Sequence, residues 1–148
     1  LDISIQNNQK DLTFNEKAVS LLVKETIVLE GQNCDEVSIN FVSEEEICRL
    51  HEIYFNDPSP TDCISFPIDD QNEQYRLLGD VFVCPATAIK YADAHQLPAH
   101  DELALYIIHG LLHLMGYNDI SDTDIKKMRA AEKRALDHLK ALDISLSL

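Results

Sequence analysis

The stretch of this chain richest in chemistry is I-I-H-G-L-L-H-L-M-G-Y-N-D, residues 107 to 119. His109 and His113 stand four apart, so on a helix their imidazoles project from one face about one turn apart, close enough to share a metal ion. A third ligand cannot come comfortably from the same short helix. Gly116 can take a positive φ, end the helix and turn the chain back, which lets Asp119 approach the same ion. Two histidines alone on an apolar helix are more often satisfied core imidazoles; the added Gly and Asp reverse those odds.

The offsets 0, +4, +7 and +10 along residues 109 to 119 are those of the metzincin zinc proteases, H-E-x-x-H-x-x-G-x-x-H. Two substitutions decide which chemistry survives. Gly110 replaces the Glu that serves as general base, so a metallopeptidase is disfavoured. Asp119 replaces the third His. A carboxylate is a legitimate zinc ligand, and three protein ligands leave one position open for water. An ion on His109, His113 and Asp119 can polarise a phosphoryl oxygen, and its bound water is the expected nucleophile or base because no protein base stands beside it. The Asp lowers the net charge of the centre, which makes that water less acidic than in a three-histidine site. It also hardens the donor set: one zinc ion is expected, with other divalent metals admissible.

The elements that must hold these residues can be read from periodicity. L-D-I-S-I-Q (1 to 6) and V-S-I-N-F-V (37 to 42) alternate as half-buried strands, the first an outer one. Between them Val19, Leu22, Val23 and Ile27 fall at helical steps, with Gly31 placed to stop the helix. Ser43 and Glu46 read as a capping box opening a helix through about Tyr54, followed by a turn from Asn56 to Pro60. C-I-S-F-P (63 to 67) and L-L-G-D-V-F-V-C (77 to 84) are strands joined by a polar, mobile hairpin loop at 69 to 74. Helices follow from Pro85 to about His95 and from Ala99 to Met115. A last one is capped by Ser121 or Asp122, with Ile125, Met128, Ala131, Ala135 and Leu139 inward. Strands and helices mix without strict βαβ alternation. The fold class is therefore α+β: a single domain over residues 1–148, a small mixed sheet flanked by helices, and a metzincin-like metal-site helix.

Composition agrees and adds a constraint. With 148 residues, 45% hydrophobic and 26% charged, the chain can bury a real core without disulfide or metal staples, and disorder is excluded. No segment approaches a membrane span and no basic-then-apolar leader is present. Cys34, Cys48, Cys63 and Cys84 occur singly and read as reduced core thiols, which points to the cytoplasm. The net charge of −14 repels polyanions on average. The average hides a split, because six of the twelve Lys and Arg lie after Ser121.

At this point the sequence resembles the YbeY family of bacterial metal-dependent endoribonucleases, also described as rRNA maturation factors. The family signature H-G-x-L-H-L-x-G-Y-D-H is similar to H-G-L-L-H-L-M-G-Y-N-D at 109 to 119, nine positions agreeing when the two free ones are counted. P-T-D-C-I-S-F-P (60 to 67) is similar to the family's P-T-D-V-L-S-F-P, and L-G-D-V-F-V (78 to 83) to its L-G-D-I-x-I. Met128 and Glu132 fall where the family often has M-x-x-x-E. The resemblance implies a zinc-like ion on the histidine cluster and single-strand RNA cleavage in rRNA maturation and ribosome quality control. Its implied partners are ribosomal RNA and the small ribosomal subunit or its proteins, met by a monomer. Phe55 stands where the family usually has Arg, and Asn118 and Asp119 replace its Asp and third His.

Four further residues are candidates for supporting roles. Asp62 and Asp80 can orient ligand histidines, Ser65 can contact phosphate, and Tyr117 can stack on a base. For each, a cap, ladder or packing role stands beside the functional one. The charge removed by Phe55 and Asp119 motivates a second reading, a ribosome-assembly binding factor with a weakened or inactive metal site.

Overall fold

A computed structural model describes residues 1–68 and 74–148. The period-two segments become strands β1 (Asp2–Asn8) and β2 (Glu36–Val42), and the two family-like blocks become β3 (Cys63–Pro67) and β4 (Leu77–Val83). Helices α1 (Glu16–Leu29), α2 (Glu44–Phe55), α3 (Pro85–His95), α4 (Ala99–Leu114) and α5 (Asp122–Ala141) complete the described elements. The sheet runs β1-β2-β4-β3, with β1, β2 and β4 parallel and β3 antiparallel to β4. This is the small mixed sheet of an α+β fold, with β1 at its edge as its pattern predicts. The loop expected at 69 to 74 lies, apart from Gln74, outside the described residues.

Local chemistry sets the helix ends. Asn15, Ser43 and Ser121 each accept a backbone N–H of the first turn of α1, α2 and α5. Only half of the capping box forms at Ser43, because the Glu46 carboxylate turns to Arg49 at 2.6 Å. Among the described helices, none is long and apolar enough to cross a membrane.

The sheet has two differently covered faces. Val37, Ile39 and Phe41 of β2 and Val81 and Val83 of β4 pack with α1, α4 and α5, while Val42 and Ile64 pack with Ile47 and Leu50 of α2. Leu103, Ile107, Ile108, Leu111 and Leu112 are all fully buried, since α4 is apolar around its circumference and is enclosed by the sheet, α1, α3 and α5. Its approach to the sheet is close. A Cβ at Gly110 would lie 2.5 Å from Val81 Cγ1 and 3.2 Å from Ser65 Oγ, and Ser65 Oγ donates to the Gly110 carbonyl at 2.8 Å. Position 110 thus faces β3 and β4, which leaves no room there for a catalytic Glu.

Two expectations need correction. Ile125 is 37% exposed: the first turn of α5 stands off the core, and the buried stripe begins at Met128 and includes Glu132. The four thiols are free, but only Cys84 is buried. Cys34, which precedes β2, Cys48 on α2 and Cys63 at the start of the edge strand β3 are half-buried, and Cys34 and Cys63 still pack against the main core.

Gly110→Ala is expected to destabilise the fold by about 1–3 kcal/mol through overpacking. The midpoint of urea unfolding reads this, and an unchanged midpoint would mean that α4 has slack against β4.

Candidate metal centre

The last turns of α4 carry His109 and His113, and the way the helix ends brings in the third donor. Gly116 at φ +100° donates its N–H to the His113 carbonyl at 3.1 Å, and the Tyr117 N–H reaches the Leu112 carbonyl at 3.0 Å. These are the two bonds of a Schellman motif, which reverses the chain just past the helix. Asp119 is thereby returned to the histidines. Its Oδ2 lies 3.6 Å from His109 Nε2 and 3.4 Å from His113 Nε2, and the two Nε2 atoms are 3.0 Å apart. A tetrahedral ion with bonds of about 2.0–2.1 Å separates its donors by roughly 3.3 Å. The triangle therefore has the size such an ion requires, and it is the one group of potential metal donors found among the described residues.

What faces the centre of the triangle is fixed from behind. His113 Nδ1 donates to the Tyr117 carbonyl at 2.9 Å, and His109 Nδ1 donates to Glu132 Oε2 at 2.8 Å. Both acceptors lack a proton to give, so each Nδ1 carries the hydrogen and Nε2 is the atom each ring turns toward the centre of the triangle. Satisfied core imidazoles would turn those nitrogens to separate partners. Here they face one another beside a carboxylate, an arrangement suited to a bound cation or to a proton shared between the rings.

Glu132 has a side chain only 5% exposed. Burial pushes its carboxyl upward, but hydrogen bonds from His109 and Arg129 outweigh that and hold it below the ordinary range, so it is ionised. Cys63 is the opposite case: burial, with the charges of Asp62, Asp119 and Glu132 adding, drives its thiol well above the usual value. It remains a neutral thiol beside the donors.

The other residues singled out from the sequence are placed differently. Asp62 does not reach a histidine; its Oδ1 accepts the Cys63 N–H at 2.7 Å and caps the start of β3. Asp80 is in register with Ser38 and Phe66, on the α2 side of the sheet and turned away from α4. Ser65 spends its hydroxyl on Gly110, as described. The Tyr117 hydroxyl donates to Glu30 and accepts from Arg134 at 3.2 Å, and its half-buried ring packs on the main core. What Tyr117 gives the donor triangle is its carbonyl, which accepts from His113 Nδ1. Phe55 ends α2, 56% exposed with its ring against His51. Asn118 is exposed on the turn.

Sequence reasoning missed Glu132 as the residue that orients His109. A signal was present: an acidic residue sits on the face of α5 defined by Met128, Ala131 and Ala135, where an unpaired carboxylate would be costly to bury.

Together the fold and site define a small α+β protein in which two imidazoles on a buried helix and a carboxylate beyond its terminal turn converge on one point. The chain matches the family described as Endoribonuclease YbeY over residues 4–140, and it belongs to that family. It is 52% identical over 143 residues to "Endoribonuclease YbeY" of Protochlamydia amoebophila (strain UWE25), covering 96% of this chain and 95% of that one. It is 34% identical to the protein of the same name from Chlamydia caviae, covering 99% and 96%. Among solved structures it is similar to the solution structure of TM1509 from Thermotoga maritima, with TM-score 0.64 at 26% identity, covering 92% of this chain and 87% of that one.

Replacing Glu132 by Gln removes the charge behind His109 while keeping the volume. The expected result is a loss of about 10–100-fold in divalent-ion affinity with the far-ultraviolet spectrum retained, measured by competition with a chromogenic chelator. Unchanged affinity would remove Glu132 from the working site.

Proposed function

We propose that this protein is a metal-dependent endoribonuclease that cuts single-stranded ribosomal RNA during rRNA maturation in the cytoplasm, with one zinc ion held by His109, His113 and Asp119. The observation that carries the metal is the convergence of two Nε2 atoms and a carboxylate oxygen at separations of 3.0, 3.4 and 3.6 Å. Membership of an endoribonuclease family supports the reaction class. A divalent ion there supplies a Lewis acid for a phosphoryl oxygen and acidifies bound water.

The chain's own residues account for the rest of the arrangement. Glu132 and the Tyr117 carbonyl hold the two rings so that Nε2 of each points outward from α4. The side chains of His109 and His113 are 17% and 28% exposed and that of Asp119 is 46% exposed, so the donors line an open surface that an RNA strand can reach. Gly110 offers no side chain to take a proton. With a net charge of −14, general attraction for RNA is weak, and productive encounter calls for docking to the small ribosomal subunit or one of its proteins.

The test compares the purified protein with a His109→Ala, His113→Ala variant for metal content and for cleavage of single-stranded RNA. The wild type is expected to hold about one ion per three-donor site and to cut, and the variant to do neither. If neither protein holds stoichiometric metal or cuts, the nuclease reading fails. Binding to the small subunit that survives the double substitution favours the assembly-factor reading. In the same series Asp119→His is expected to raise zinc affinity, and no change would remove position 119 from the donor set.

A further inference from the structure

One cation lies against the back of the site. Arg129 Nη1 donates to both oxygens of Glu132, at 2.6 and 3.0 Å, and Glu132 Oε2 is the same atom that accepts from His109. Among the described residues Arg129 is the one cation bonded to the side chain that holds a site histidine. Its Nε and Nη2 have no partner there, and its side chain is 64% exposed. The guanidinium is thus anchored at one nitrogen by a buried carboxylate while the rest of the fork faces solvent. Through Glu132 it stands two hydrogen bonds from the donor atom of a site histidine's ring.

Other cations of α5 are disposed differently. Arg134 is engaged with Glu30 and the Tyr117 hydroxyl. Lys133 pairs with Asp137 at 2.7 Å, both side chains well exposed. The charge balance around the site explains why one free fork matters. Asp119 and Glu132 stand there in a chain already strongly acidic, and a phosphodiester approaching them is repelled unless a fixed cation meets it. A guanidinium presents parallel N–H donors that match two phosphate oxygens, which an ammonium does not.

We propose that Arg129 is the substrate-positioning residue of this site, gripping an RNA phosphate with its free Nε and Nη2 while Glu132 holds its Nη1. The inference rests on the endoribonuclease reading and extends it to a residue outside the donor set. A contact made equally in the ground and transition states changes KM and leaves kcat alone.

The experiment uses the metal-loaded full chain with a short single-stranded RNA and a counterpart whose central linkages are uncharged methylphosphonates. Arg129→Ala is expected to raise KM, and the dissociation constant by fluorescence anisotropy, about tenfold on the phosphate strand, with kcat within about twofold. On the methylphosphonate strand the variant and wild type should bind alike. Arg129→Lys should restore part of the loss, and at saturating ion the metal content should be unchanged, whatever affinity is lost through Glu132. Lys133→Ala removes the same charge from the same helix and controls for general electrostatics. Equal binding of the phosphate strand by wild type and Arg129→Ala overturns the proposal. So does a variant whose metal content and kcat fall together, because Arg129 would then act only by steadying Glu132. If the wild type binds the strand but does not cut it, the nuclease reading has failed by its own test, and the anisotropy comparison still decides Arg129.

Discussion

His109 and His113 each give their Nδ1 proton to an oxygen with none to return, a carboxylate in one case and a backbone carbonyl in the other. That pair of bonds settles which ring nitrogen faces the site, and the helix settles where those nitrogens go. Nitrogens held 3.0 Å apart call for a positive charge between them, a shared proton or a metal ion. The protein therefore holds, by its own hydrogen bonding, two donor atoms in place for a cation. The two bonds have different reach. His113 is set by a carbonyl four residues away, within the turn that ends its own helix. His109 depends on α5, 23 residues further along the chain.

This difference makes the packing of α4 and α5 part of the site. Glu132 can stay buried and ionised because His109 and Arg129 both donate to it; remove either and a buried carboxylate loses part of what offsets its desolvation. On the other flank, Tyr117 is held by Glu30, which caps the end of α1, and by Arg134 of α5, which steadies the carbonyl that orients His113. Three helices thus meet behind one triangle of donors. The sheet contributes by fixing the depth of α4: Ser65 grips the Gly110 carbonyl and Val81 fills the space over Gly110. A side chain at position 110 would push the helix, and both histidines with it, away from β4.

Much of this was legible in the residues. The strands announce themselves by alternation, the helix starts by Asn15, Ser43 and Ser121, and the end of α4 by a glycine that only a reversed turn requires. The donor triangle could be read because its spacing is local: three residues within eleven positions, joined by one helix and one turn. What could not be read is what depends on tertiary approach. Asp62 and Asp80 stand in strand blocks next to the site in sequence, but the pleat turns Asp80 to the α2 face, and Asp62 spends its carboxylate on its own neighbour. Periodicity fixes alternation but not which face meets which helix. Glu132 was hidden for the same reason, since its importance lies in a partner on another helix. Ile125 shows the complementary error, a residue in phase with the buried stripe but one turn before the core begins.

The charge of the chain is where the average misleads most. A net −14 describes a polyanion-repelling molecule, yet at ordinary ionic strength a surface charge is felt over about 8 Å. An RNA phosphate at the site therefore answers to the groups within that radius and scarcely to acids on the far face. At the site itself those groups include Asp119, the two imidazoles, and Glu132 with its Arg129 partner. A divalent ion on the triangle would offset the two carboxylates while the remainder of the surface stays acidic. Such a molecule would have little hold on RNA in general, and what hold it has would be local. Selectivity for a strand then comes from whatever brings that phosphate to the site. For a protein this acidic, an unguided search along the polyanion is a poor means to that end.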